Sequence, residues 1–385
     1  MTDIVQFPLT SLDLRSLVTE DASLRLFLKE VEITQPEADE VVVRIEGAPV
    51  NPSDLGLMLG GIPADSFAPC GDGSSPALSA PLPPAAVARL AERTGQPLPV
   101  GLEGMGTVIA AGPDADHLLG RKVAMVGYGN YAQFRKIAAG SCLLLHDDTK
   151  PESGAGAFVN PMTSSSMVEA MRREGHSALV HTAAASNLGQ MLVKICQADG
   201  IGLVNIVRSE EQVQLLKGLG AEFVCNTSSP DFDDELLEAV RKTGATLAFD
   251  AVGGGDLASR ILSAMEKAAK TGEAPYSRYG SDRHKQVYIY GGFDPSPIIL
   301  RKDYGMAWGV GGWLLFPFLE KIGADATERL KARILSELDT VFASHFGQSI
   351  SLHQLLEPET LTAAGARSTG GKFLVKPHHG PADAG

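Results

Sequence analysis

The chain is 385 residues long and carries a formal charge of -13, with 46 acidic residues against 33 basic ones. The acids are scattered rather than gathered into a tail, which argues against binding through a phosphate backbone, so no nucleic-acid partner is expected. Its apolar runs fall short of the roughly 18 to 20 residues that span a bilayer, and MTDIVQFPLTSLDL lacks a basic region followed by an apolar stretch; a cytoplasmic protein with no membrane partner is expected.

The length exceeds one ordinary core and predicts two domains. Cys70, Cys142, Cys196 and Cys225 are far apart and form no CxxC pair, so neither a disulfide framework nor a local zinc knuckle is suggested. The first 150 residues read as a mostly β domain: EVVVRIEGAPV, MGTVIAAG and RKVAMVGYGNYAQFRKI supply strands about Gly-containing turns. Between Pro63 and Pro99 a stretch rich in Pro, Ala, Ser and Gly reads as a long loop or flap, with a short helix starting at Pro83 or Pro84.

From Asn160 the pattern changes to helices alternating with apolar strands, the mark of a parallel sheet covered on both faces. Strands are predicted at ALVHTA, GLVNIV, AEFVCN, ATLAFD and QVYIYG. Leu188, Met191, Leu192 and Ile195 share one helical face, and Val213, Leu216 and Leu219 do so less cleanly. A helix is predicted over ADATERLKARILSELDTVF, and a last strand, GKFLVKP, is expected to return to the first domain.

The turn after ALVHTA carries the chemistry. In a Rossmann unit the first strand enters a tight small-residue turn that opens a helix, whose N-terminus receives a pyrophosphate. Here that turn is AASNLG: Ala184 and Asn187 stand where glycines are usual, and Gly189 matches. Ala allows close approach and Asn tolerates left-handed backbone angles, so Ala185, Ser186, Asn187, Leu188 and Gly189 are candidate phosphate-binding residues. At the end of the second strand, where an acid would hold both ribose hydroxyls of NAD, the chain has Arg208 and then Ser209. A guanidinium pairs with the extra phosphate of NADPH, whereas a carboxylate repels it; the alternative for Arg208 is a solvated charge at a helix start.

Five motifs in family order resemble the medium-chain dehydrogenase/reductase superfamily, in its zinc-independent NADPH:quinone oxidoreductase and ene-reductase branch. They are VNPSD at Val50 to Asp54, GLEGMGTVIAAG from Gly101, the AASNLG turn, DAVGG at Asp250 to Gly254, and TGGKFLVKP. The resemblance implies an α/β protein: a GroES-like β domain from 1–155 and 321–385, a Rossmann doubly wound domain over 156–320, an active site in the cleft, and a homodimer or homotetramer. Zinc-dependent relatives carry a Cys in the segment matching VNPSD and a His before the Glu of GLEG. Ser53 with its neighbours and Leu102 stand there instead, so no metal is expected.

By the same resemblance, Asn51 lines the nicotinamide side, Thr163 of NPMTSS contacts the nicotinamide end, and Asn226 lies near the adenine. Gly291 and Gly292 admit the cofactor close to the backbone, and Lys372 approaches it. Some enoyl-thioester reductases of the family place a Tyr where this chain has Ile62, which leaves Tyr128 and Tyr131 as candidate hydrogen-bond donors in the catalytic site. The insertion at Glu273 to Lys285 concentrates Arg278, Arg283, His284 and Lys285, either to reach an anionic group or as an exposed basic loop. Trp308 and Trp313 belong to a region that in relatives supplies subunit contact and substrate wall. The expected activity is hydride transfer from NADPH to a quinone or an α,β-unsaturated carbonyl, with enoyl-thioester reduction or low-turnover NADPH binding as alternatives.

Overall fold

A computed structural model describes residues 5–71, 75–270, 277–366 and 372–380. The chain divides into two compact units, Met1–Val159 with Leu338–Gly385, and Asn160–Glu337.

The first unit begins with β1 (Leu9–Val18), β2 (Ser23–Ile33), β3 (Glu40–Pro49) and the short helix α1 (Pro52–Leu59). There follow β4 (Ala68–Pro69), β5 (Ala77–Pro81), α2 (Pro84–Leu90), β6 (Leu98–Pro99), β7 (Glu103–Ala111), β8 (Lys122–Val126), β9 (Phe134–Ala138), β10 (Cys142–Leu144) and α3 (Pro151–Gly154). Val41, Val42, Val43 and Ile45 of β3 are all buried, as a strand covered on both faces requires.

The stretch from Pro63 to Pro99 corrects the expectation of a loop or flap. Its described residues supply β4, β5 and β6 to a sheet in the order β4-β5-β2-β1-β6. Leu78 and Ala80 of β5 lie opposite Leu26 and Leu24 of β2, and Ala86 and Leu90 of α2 join the same core. Arg89 donates to the Gly60 carbonyl at 2.6 Å and Arg93 to that of Leu57 at 3.1 Å, tying the segment to the end of α1. A five-residue strand bounded by prolines has too few positions for its alternation to stand out.

The second unit takes most of α4 (Val159–Arg173) and then alternates strand and helix: β11 (Ala178–Thr182), α5 (Asn187–Asp199), β12 (Gly202–Val207), α6 (Glu210–Gly218), β13 (Phe223–Asn226), α7 (Phe232–Thr243), β14 (Leu247–Asp250), α8 (Leu257–Ala269), β15 (Lys285–Ile289), β16 (Trp308–Gly312), α9 (Leu315–Ile322) and α10 (Ala324–Ser336). The six strands are parallel in the order β13-β12-β11-β14-β15-β16. Every residue of β11 is buried, which places this strand at the centre of a sheet covered on both faces. The fold is thus the expected α/β architecture, with a mostly β unit and a doubly wound parallel-sheet unit.

Helices α4 and α9 and strand β16 lie outside the sequence reading. Helix α4 is buried from Pro161 to Val168 and again at Ala170 and Met171, so no single apolar stripe marks it. Strand β16 is the Gly-rich WGVGG at the edge of the sheet. The unit also extends past the expected end at 320, because Arg333 of α10 makes two bonds, at 2.8 and 2.9 Å, to Asp199 at the end of α5. Helix α10 stops at Ser336 rather than Phe342; Leu338 and Phe342 are buried in the first unit.

In the segment Glu273 to Lys285, residues 273–276 lie outside the described residues. Arg278, Arg283 and His284 are exposed. Lys285 is not part of a basic loop: it is fully buried, with its Nζ donating to Glu266 at 2.7 Å, to the Arg283 carbonyl at 2.8 Å and to Ser281 Oγ at 3.1 Å. The chain then returns to the first unit through β17 (Gln348–Ile350), α11 (Pro358–Gly365) and β18 (Phe373–Val375), and β18 pairs antiparallel with β3.

Candidate functional site

The second unit places the predicted dinucleotide turn between β11 and α5. Ala183 takes the left-handed angle at φ 50, and Ser186 caps the helix by accepting the Gly189 N–H at 3.1 Å. A Cβ on Gly189 would stand 2.2 Å from the Ala184 carbonyl oxygen and 2.7 Å from its Cα. The one glycine kept in AASNLG is therefore the one that lets the helix pack against the strand end. Ser186 takes up one first-turn N–H of α5, a group that a glycine at this position would leave for a phosphate.

The neighbouring strand ends are locked to this turn. The Asp250 carboxylate, 1% exposed, accepts Thr182 Oγ1 at 2.7 Å and the Val252 and Gly253 N–H groups at 2.9 and 3.2 Å. Asp250 of DAVGG is thus a clamp between β11 and β14. A Cβ on Gly291 would meet the Ala251 carbonyl at 2.5 Å, whereas one on Gly292 would meet nothing within 4 Å. Packing alone demands the first glycine; the second leaves open space beside the backbone.

Arg208 follows β12 and is exposed. Its backbone is held at both ends, the N–H donating to Gln212 Oε1 at 3.1 Å and the carbonyl accepting Ser228 Oγ at 2.8 Å, while its guanidinium has no ion pair among the described residues. Ser209 caps α6, accepting the Gln212 N–H at 3.4 Å. Asn226 ends β13 with its Oδ1 accepting the Ser228 N–H at 3.0 Å. Thr163 is buried in α4.

Three residues that the sequence did not single out together lie near the ends of β11, β15 and β16. His181 is fully buried, and burial drives its imidazole pKa down to about 3, so the ring is neutral. Its Nε2 is 2.7 Å from the Tyr290 hydroxyl, with the rings stacked at 5.8 Å. Tyr290 and Trp313 line a cavity of about 420 Å³ together with Ile289, Gly291, Gly312 and Leu314.

The first unit gathers a second polar cluster around α1. The Asn51 N–H donates to Asp54 Oδ2 at 2.8 Å, and the Leu102 N–H to Asp54 Oδ1 at 2.6 Å. Asn51 Nδ2 donates to Glu103 Oε1 at 2.8 Å, and Glu103 Oε2 accepts the Val159 and Phe158 N–H groups at 2.7 and 3.3 Å. Burial, with Glu103 adding like-charge repulsion, pushes the Asp54 carboxyl up to about 7; burial also raises Glu103. Lys372 lies in the field of both acids, its Nζ buried without a hydrogen bond among the described residues, and burial lowers its pKa. Asn51 Oδ1 is likewise buried without a hydrogen-bond partner among the described residues.

The two candidate tyrosines separate. Tyr131 is 1% exposed and donates its hydroxyl to the Pro49 carbonyl at 3.0 Å, so it is fixed as an internal support rather than presented to a substrate. Tyr128 is 44% exposed, and no hydrogen bond occupies its hydroxyl among the described residues. Ile62 is buried in the core of the first unit, so the position where some relatives carry a Tyr is occupied here by core packing. The site thus depends on Asp54 and Glu103 more than the sequence indicated. Their place inside NPSD and GLEG was visible, but their shared burial with Lys372, far along the chain from both, was not.

Among known proteins, the family described as zinc-binding dehydrogenase matches residues 188–274. The mitochondrial enoyl-acyl-carrier-protein reductase of Xenopus tropicalis is 28% identical over 262 residues, 64% of this chain and 66% of that protein. A probable quinone oxidoreductase of Leishmania amazonensis is 30% identical over 162 residues, 41% of this chain and 46% of that protein. The aligned segments thus span about half to two thirds of these curated relatives. Among solved structures, a candidate NADPH:quinone reductase of Mesorhizobium loti matches with a TM-score of 0.73 at 24% identity, over 97% of this chain and all of that one. The Escherichia coli quinone oxidoreductase, solved with NADPH, matches with a TM-score of 0.67 at 19% identity, over 96% of this chain and all of that one. With its β unit and its six-stranded parallel sheet, the chain has the fold of these solved structures, and in sequence it is similar to zinc-binding dehydrogenases, quinone oxidoreductases and enoyl reductases.

Proposed function

We propose that this chain is an NADPH-dependent oxidoreductase that reduces a quinone or an α,β-unsaturated carbonyl without zinc. The observation that carries the reading is the end of β12: Arg208, its guanidinium free of ion pairs among the described residues, stands where an acid would select NAD, next to a turn whose Gly189 lets α5 approach the strand. Bound NADPH would supply the hydride. The first turn of α5, from Ala185 to Gly189, would hold its pyrophosphate, Arg208 and Ser209 its 2′-phosphate, and Asn226 its adenine. Thr163, Gly291, Gly292, Asn51 and Lys372 are assigned to its nicotinamide end.

Zinc independence is supported by the chemistry of the donor set. The Asp54 carboxylate is engaged by the Asn51 and Leu102 N–H groups, so the two segments that carry thiolate and imidazole in zinc enzymes present Ser53 with its neighbours and the alkyl chain of Leu102. A conjugated acceptor needs no Lewis acid if it is held close to the hydride and the developing oxyanion is hydrogen-bonded. Tyr128 is the tyrosine whose hydroxyl is available for that bond. The second reading, an enoyl-thioester reductase, is favoured by the similarity to acyl-carrier-protein reductases and opposed by the burial of Ile62.

A second copy of this chain is the partner we infer, docked along the sheet edge at β16, whose outer backbone groups have no neighbouring strand among the described residues. The activity is tested by following NADPH oxidation with quinones, enones and enoyl thioesters before and after metal stripping. Turnover that survives chelation supports the reading. Turnover that requires zinc, or tight NADPH binding with no oxidation by any acceptor, overturns it.

A further inference from the structure

We infer that Arg93 is a positioning residue: with Arg89 and Ser16 it caps the carbonyl end of α1, and through that short helix it holds the Asn51–Asp54 end of the polar cluster in place. The effect on turnover rests on the proposed reductase activity, whereas the cap rests on the geometry of the first unit alone.

A helix of eight residues, about two turns, is too short to persist unaided, because the cost of forming its first turn is offset by few bonds. The sequence of α1 weakens it further. Gly56 sits in its middle, and its last turn carries no basic residue to meet the negative end of the helix dipole. Its buried side chains Leu55, Met58 and Leu59 fix one face in the core, but the terminal carbonyls must find partners elsewhere.

Those carbonyls are all accounted for. Gly56 accepts the Gly60 N–H at 3.1 Å, and Leu59 accepts the Ile62 N–H at 2.8 Å. The other three go to side chains from outside the helix: Leu57 accepts from Arg93 at 3.1 Å, Met58 from Ser16 Oγ at 3.1 Å, and Gly60 from Arg89 at 2.6 Å. Arg93 also donates to Ser16 Oγ at 3.0 Å, which leaves the serine proton for the Met58 carbonyl. Guanidinium groups suit this end of a helix, where the dipole is negative. Their approach depends on two glycines. A Cβ on Gly60, at φ 56, would stand 2.8 Å from Leu90 of α2, and one on Gly61 would stand 2.9 Å from the Arg89 guanidinium. The segment from Pro63 to Pro99 therefore supplies two of the three side-chain caps of α1.

The coupling is felt at the other end. The Asp54 and Leu55 N–H groups donate to the Asn51 carbonyl at 3.0 and 3.2 Å, and the Asn51 N–H donates to the Asp54 carboxylate at 2.8 Å. That carboxylate also takes the Leu102 N–H at 2.6 Å, which ties α1 to the start of β7. When the last of two turns frays, the single turn left is not stable, and the Asn51–Asp54 end opens with it.

Hydrogen exchange on the full-length protein tests this at the Asp54, Leu55 and Leu102 amides. Arg93→Met is expected to speed exchange at all three about tenfold, the worth of one bond from a charged donor. Adding Gly56→Ala, whose methyl would meet nothing within 4 Å, is expected to recover about two- to fivefold of that loss, the difference in helix propensity. With NADPH and a quinone, kcat is expected to fall in Arg93→Met and to recover in the double variant, while the Kd for NADPH, whose phosphates are assigned to the second unit, does not follow. Should Arg93→Met fail to fold, Arg89→Met, which removes the bond to Gly60 alone, takes its place in the same comparison. Faster exchange confined to the last turn of α1, no rescue by Gly56→Ala, or an unchanged kcat in a protein that turns over would overturn the positioning role. If the parent oxidises no NADPH with any acceptor, the reductase reading falls, and exchange at the three amides alone decides the role of Arg93.

Discussion

Gly189→Ala sets two known effects against each other. In the first turn of an ordinary helix this change would stabilise by roughly 0.5 to 1 kcal/mol, because alanine loses less backbone entropy on folding. Here the new methyl would stand 2.2 Å from the Ala184 carbonyl oxygen, so α5 must retreat by about 0.8 Å to restore the 3.0 Å that real Cβ atoms keep. The obstacle is backbone at the end of a fully buried strand, not the tip of a flexible side chain. Overpacking of that kind costs about 1 to 3 kcal/mol, which exceeds the propensity gain. The net expectation is a loss of about 1 to 2 kcal/mol in urea unfolding, together with at least tenfold weaker NADPH binding, because the N–H groups of α5 move with the helix. Gly292→Ala is the control, since its Cβ would meet nothing within 4 Å, and it should unfold like the parent. A Gly189→Ala protein as stable as the parent, with unchanged NADPH affinity, would refute the close-packing account of the turn.

Arg208→Asp should raise KM for NADPH by about 10- to 100-fold while leaving that for NADH nearly unchanged, since one charge-assisted bond is worth about 1.5 to 3 kcal/mol; parallel effects on both cofactors would show that Arg208 does not read the 2′-phosphate. His181 is held neutral by burial, so its unfolded form takes up a proton first as pH falls. Stability should therefore drop on going from pH 6.5 towards pH 3, by up to about 1.4 kcal/mol per pH unit. His181→Gln should flatten that part of the urea-midpoint profile, and an unchanged slope would mean that His181 is not the responsible group. Lys285→Met strands the Glu266 carboxylate, itself 1% exposed, with only the half-exposed Lys270 for a charge partner; a loss of about 3 to 5 kcal/mol in urea unfolding is expected, partly recovered when Glu266→Met is added. Sedimentation equilibrium should give at least twice the chain mass of 40.5 kDa if the β16 edge is an interface between copies, and a monomer at micromolar concentration would refute it.

The alternation of strand and helix after Asn160, the turn at AASNLG and the Arg at the end of the second strand are all local patterns, readable because a parallel sheet with both faces covered imposes continuous apolar strands at short, regular intervals. The same logic exposed the β-rich start and the return of the last strand. It could not expose α4, which is buried nearly all round and so presents no stripe, nor β5, whose membership of a sheet depends on Leu24 and Leu26 more than fifty residues away. Whether a motif residue faces a ligand or a neighbour was also beyond local pattern. Gly291 is needed by the Ala251 carbonyl, Tyr131 spends its hydroxyl on Pro49, and Lys285 pairs with Glu266 rather than joining a basic loop. Sequence by itself determined the architecture and the place of the tight turn between β11 and α5, because these follow from the period and spacing of apolar residues. Only the tertiary structure decided which polar atoms find no partner among the described residues, Lys372 Nζ, Asn51 Oδ1 and Trp313 Nε1 among them, because pairing depends on groups that the chain brings together from distant segments.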